Sequence, residues 1–150
     1  MILKLIAIIM GLVLSGLVNA SVITGGGGYE LGNKYEITKD TQTIIHNDAI
    51  VYQVLSRDSQ YEHIFLRVNK LKIIHRITIV SHVLAEKACY AQMGKIQEET
   101  ETLHPGLKYY AMGENEMFFD SERTFTIECN KVKGGWQLRL EYADDTLAKE

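Results

Sequence analysis

Apolar residues alternate with polar ones along two stretches of this chain, and between them, over residues 84–103, the repeat lengthens to that of a helix. Ala85, Cys89, Ile96 and Leu103 recur at steps of four and seven, with Ala88 and Met93 beside them, which marks one face of an amphipathic helix. Pro105-Gly106 supplies its stop. Gly94 lies inside it and should weaken it by about 1 kcal/mol relative to alanine. A chain that switches from strand to helix and back has few ways to bury both. The pattern predicts an α+β fold: an antiparallel β-sheet of about five to seven strands with one long helix packed on one face, inserted between two groups of strands.

Ahead of the helix, residues 49–56, 61–68 and 71–80 are rich in Val, Ile, Tyr and Phe and read as strands. Residues 35–38 and Ile44-Ile45 are weaker candidates. Residues 57–60 suit a hairpin loop, and Asn69-Lys70 suits a two-residue turn. Beyond the helix, residues 108–112 and 116–119 are short strand candidates. Then Phe125, Ile127 and Cys129, and after Lys133-Gly134-Gly135 also Trp136, Leu138, Leu140 and Tyr142, alternate with polar residues, describing a hairpin with one buried and one wet face.

The two cysteines fit this layout. Cys89 falls on the apolar face of the helix and Cys129 on the apolar face of its strand, so both point into one helix–sheet layer where a disulfide can close. Their spacing does not resemble a zinc site, which uses close cysteine pairs. A disulfide implies an oxidising compartment, and the start of the chain agrees. Lys4 precedes an uncharged apolar run over residues 5–18, and Val18-Asn19-Ala20 has the small residues of a cleavage site before Ser21. The run is shorter than the roughly 20 apolar residues of a spanning helix. Residues 1–20 therefore read as a signal peptide, 21–34 as a flexible Gly-rich segment, 35–143 as a single α+β domain and 144–150 as a polar tail.

Charge and motifs exclude more than they select. The formal net charge is −3, one unit lower once Lys4 leaves with the leader. That mild acidity argues against nucleic acid as a partner, and a cleaved leader leaves no membrane insertion. Gly25 to Gly28 are followed by Tyr29-Glu30-Leu31 rather than Lys-Ser/Thr, so the run reads as a linker or turn and not a phosphate cradle. No histidine has metal-ligand spacing, and neither a metal nor another cofactor is expected. Ser81 and His82 are adjacent on a strand, point to opposite faces and cannot act as a nucleophile–base pair. His75 shares a face with Leu71, Ile73, Ile77 and Ile79, where a histidine is a core residue or a tuned acid–base.

One surface stands out. With the two loops placed as above, Tyr52 faces Phe65, Val54 faces His63, and His63 faces Arg76. One sheet face then carries Ala49, Val51, Leu66, Val68, Leu71, Ile73, Ile77 and Ile79 as core. The other carries Ile50, Tyr52, Val54, Tyr61, His63, Phe65 and Ile74, edged by Arg67, Lys72 and Arg76. Aromatic residues beside arginine are what interfaces favour. Tyr52, Val54, Tyr61, His63, Phe65, Ile74 and Arg76 are therefore the candidate binding residues, unless the N-terminal segment covers this face or the register slips by one. The chain reads as a small exported protein, periplasmic or secreted, that binds a protein partner in the manner of an inhibitor, immunity protein or assembly accessory. The competing reading is a small envelope hydrolase or ligand-binding protein using His75 or His82.

Overall fold

The computed structural model describes residues 22–150; the expected signal peptide lies outside the described residues. In chain order the elements are β1 (Gly25–Gly26), β2 (Tyr29–Glu30), β3 (Gln42–His46), β4 (Ala49–Leu55), β5 (Tyr61–Val68), β6 (Ile74–Ser81), α1 (Glu86–Leu103), β7 (Lys108–Met112), β8 (Asn115–Asp120), β9 (Arg123–Val132) and β10 (Gly135–Asp144). A single 3-10 turn over Leu147–Lys149 follows. Strands β3 to β10 form one eight-stranded sheet in the order β3-β4-β5-β6-β10-β9-β8-β7, and β1 and β2 make a separate two-stranded ribbon. Every neighbouring pair is antiparallel. The α+β architecture is as expected, with a larger sheet. Two four-stranded meanders lie side by side, joined at the β6–β10 seam, and α1 is the connection that lets them meet.

One face of the sheet is the core. Ile64, Leu66, Ile77, Ile127 and Leu138 are almost completely buried there. Over β9 and β10 this face is covered by α1, which buries Cys89 and Met93. The buried stripe of the helix is narrower than the spacing suggested, since Leu103 is 72% exposed. Cys89 and Cys129 form a disulfide with 6.0 Å between their Cα atoms, stapling the helix to β9. In the chain-entropy account a loop of this length contributes about 4 kcal/mol.

Over β5 and β6 the cover is the Gly-rich segment, expected as a flexible linker. It packs instead as a strap, burying Ile23, Leu31 and Tyr35. The glycines let it lie flush. A Cβ on Gly26 would sit 2.6 Å from the Tyr142 ring, and one on Gly27 would sit 2.7 Å from Ile64 Cδ1. Tyr35 reaches over β4 to Tyr52, with ring centroids 5.1 Å apart.

The register of β4, β5 and β6 departs from the expected one, and two loops are the reason. Ser56 joins the β4–β5 loop, so Tyr52 pairs with Leu66 and Val54 with Ile64. The shift of one residue moves Tyr52 and Val54 to the core face and turns Ala49 and Val51 outward. The β5–β6 loop runs through Ile73 rather than closing at Asn69-Lys70. There Asn69 Oδ1 accepts from the backbone N–H of Leu71 and of Ile73, at 3.0 and 2.9 Å. A bulge after Arg67 then pairs Val68 with Ile74 and takes Ile74 into the core. Leu71, expected in the core, is 61% exposed in this loop.

Candidate functional site

The outer face of the sheet, opposite α1 and the strap, is built by the register. One row across the strands runs Ile44, Val51, Arg67, Arg76 and Ala143. The next runs Gln53, Phe65, Thr78 and Glu141, and the third His63, Val80, Arg139 and Glu128. Within these rows lies a hollow of about 450 Å³, lined by residues from β3, β4, β5, β6, β10 and β9. Its lining reaches from Ile44 on β3 to Asn130 on β9, across six neighbouring strands. On the β3–β5 side Ile44, Val51 and Phe65 line the hollow together with His46 and Arg67, and apart from Val80 its β6–β10 side is polar.

The polar side is an ion-pair ladder. Arg76 Nη1 donates to Glu141 Oε1 and its Nη2 to Asp145 Oδ1, each at 3.1 Å. Thr78 donates to Glu141 Oε2 at 3.2 Å. Arg139 also donates to Glu141 and lies 4.0 Å from Glu128. Arg67 stands apart: it forms no ion pair among the described residues, although it sits between Val51 and Arg76.

Of the seven residues chosen from sequence, His63, Phe65 and Arg76 share this outer face. Tyr52, Val54 and Ile74 do not: they are 3%, 6% and 2% exposed within the core. Tyr61 packs partly buried against the same core, because a bulge between Tyr61 and His63 pairs it with Ser81. Gln137, Arg139 and Glu141 carried no mark in the sequence beyond the solvated face of the late hairpin. Their signal lay in the pairing of β10 with β6, which makes that face continuous with Arg76.

The histidines of the hydrolase reading are separated. His75 is buried where β6 begins, with its Nδ1 unpartnered. Burial, then the neighbouring Arg76 and Arg67, hold its pKa below the usual 6.5 against the opposing pull of Asp145 and Asp144. His82 is exposed just beyond β6. Ser81 serves the fold instead. Its hydroxyl donates to the His82 carbonyl at 2.7 Å and accepts from the Leu138 N–H at 2.9 Å. A hydroxyl fixed in this way, fully buried, is not placed to attack a substrate. Among the described residues no three His, Cys, Asp or Glu side chains cluster as metal ligands, and no helix is long and apolar enough to cross a membrane.

No protein-family model, curated protein or solved structure matches the chain.

Proposed function

We propose that this is an exported, disulfide-stapled binding protein that works through the hollow on the outer face of its sheet. The observation that carries the reading is the hollow itself. It joins an apolar shelf to a row of guanidinium groups, in a volume typical of ligand sites. Such a surface recognises a ligand that is partly apolar and partly charged. Export is supported by the apolar run and small-residue site at residues 5–20 and by the Cys89–Cys129 disulfide.

The test is affinity purification of the full-length chain, carrying a C-terminal tag, from cells that express it with its own leader. Native mass spectrometry then reads what stays bound. A bound species should be lost on Phe65→Asp and kept on Lys95→Asp, a change on the exposed side of α1. Equal retention in both would remove the outer face as the binding surface. The N-terminus of the same preparation should be Ser21; an intact Met1 would remove the export reading.

The expected protein partner has separate support at the sheet edge. β3 is exposed along its whole length and carries no charged residue or proline to discourage another strand. Ile45 on it is 76% exposed, and its cross-strand neighbour Ile50 is 40% exposed. Ile45→Lys should abolish a protein contact at this edge; an undiminished complex would remove that reading.

A further inference from the structure

We infer that the hollow binds a small amphipathic carboxylate, with the carboxylate on Arg67 and the hydrocarbon over Val51, Ile44 and Phe65. This rests on the outer-face reading above and names the ligand class for it.

Charge is unevenly matched along the rows of this face. Arg67 and Arg76 are direct cross-strand partners on β5 and β6, and like charges so placed repel. Arg76 is neutralised by Glu141 and Asp145, and Arg139 by Glu141 and Glu128. Arg67, half-buried in the same row, has no carboxylate of its own among the described residues. An incoming carboxylate supplies the contact partner that Arg67 lacks and meets a planar donor suited to bidentate bonding.

The neighbours of Arg67 say what the rest of the ligand is. Its partner on β4 is Val51, whose own partner on β3 is Ile44. Phe65 lies two residues back on the same face of β5 and lines the same hollow. None of these three carries a hydrogen-bonding side chain, so a chain running from the carboxylate over Val51 to Ile44 meets hydrocarbon, with His46 the polar residue at the end of β3. A second hollow, of about 440 Å³, adjoins the first at Arg67 and is lined by Lys70, Lys149 and His75 together with Asp48 and Glu150. The two lysines and two acids cancel, so Arg67 is the one uncompensated charge there, which suits a single carboxylate better than a multiply charged anion.

Isothermal titration with decanoate and with the neutral analogue decanol tests this on the purified protein. Decanoate is expected to bind one per chain, decanol at least tenfold more weakly. Arg67→Gln should weaken decanoate by roughly tenfold or more, the loss expected for a charge-assisted bond, and leave decanol unchanged. Phe65→Ala should weaken both. Both side chains are outside the core, and unchanged denaturation curves for the variants establish that they fold. Equal binding of decanol and decanoate, or of decanoate to wild type and Arg67→Gln, overturns the carboxylate assignment while the outer-face reading stands. Binding of neither also overturns it; the Phe65→Asp capture experiment then decides separately whether the face binds anything.

Discussion

Arg123 Nε donates to Asp144 Oδ2 at 2.9 Å, tying the start of β9 to the end of β10. The same guanidinium reaches the strap, donating from Nη1 to the Ile23 carbonyl at 3.1 Å. Asp120, the cross-strand neighbour of Arg123, also holds the strap by accepting from the N–H of Val22 and of Ile23, at 2.8 and 3.2 Å. Arg123→Met should therefore do two things. It should destabilise the protein by about 2 kcal/mol, less than a fully buried pair because the arginine is partly exposed. It should also speed hydrogen exchange over residues 22–31. Denaturant titration and exchange mass spectrometry measure the two effects; loss of stability with unchanged exchange in the strap would mean the arginine anchors only the hairpin.

Reduction of Cys89–Cys129 is expected to lower stability by about 4 kcal/mol in the chain-entropy account. The staple joins the first turn of α1 to β9, and the helix packs mainly on the strands β9 and β10. Guanidinium unfolding of the Cys89→Ala, Cys129→Ala double variant, followed by circular dichroism, measures this. The helix should lose its signal first if it depends on the staple; a midpoint within error of the wild type would show that packing at Met93 and Ile96 suffices.

Two glycines should respond in opposite directions. Gly26→Val would press its side chain on the Tyr142 ring, and that ring cannot retreat because it stacks on Phe125 with centroids 4.4 Å apart. The overpacking should cost about 1–3 kcal/mol. Gly94, on α1, has nothing within 4 Å of where a Cβ would stand. Gly94→Ala should stabilise by about 1 kcal/mol through helix propensity alone. Thermal melts of the two variants check the signs, and a stable Gly26→Val protein would mean the strap is dispensable.

The late hairpin and the helix were legible in the sequence because each has one apolar side. Phe125, Ile127, Cys129, Leu138 and Leu140 are buried on β9 and β10, as alternation implies. Cys89 and Cys129 met for the same reason. The β3–β6 region was not legible, since apolar residues occupy both faces: Tyr52, Val54, Leu66 and Ile77 inside, Ile44, Val51, Phe65 and Val80 outside. A strand of that kind has no register fixed by burial, so its loops choose. The choice at Asn69 is made by a side-chain carbonyl that holds two backbone N–H groups, which alternation does not report. A third of the site lay beyond local reading altogether, because Asn130, Gln137, Arg139 and Glu141 reach the hollow only through the β6–β10 pairing across the whole length of α1.

His75 makes stability depend on pH near neutrality. Its imidazole is buried with an unpartnered Nδ1, and burial, then Arg76 and Arg67, depress its pKa in the folded state. The folded protein therefore takes up the proton at lower pH than the unfolded chain, whose histidine titrates near 6.5. Above that value both states are neutral and the contribution to stability is fully present. As pH falls through 6.5 toward the folded pKa, the unfolded state gains protons first and stability declines. Asp144 adds to the same trend at lower pH. Desolvation raises its pKa, but the bonds from Thr146, Arg123 and the Leu147 backbone outweigh it, so the net shift is downward. Its contribution is present above the ordinary carboxylate range and is lost as pH falls through the depressed value. Urea midpoints from pH 8 to pH 2 should fall below pH 6.5 in the wild type. His75→Gln, which cannot titrate, should flatten the slope that sets in below pH 6.5 and leave the acid limb of Asp144 in place. A wild-type profile that is level through pH 6.5 would mean that His75 protonates without resistance in the fold, with its ring reaching solvent rather than remaining neutral against Arg67 and Arg76.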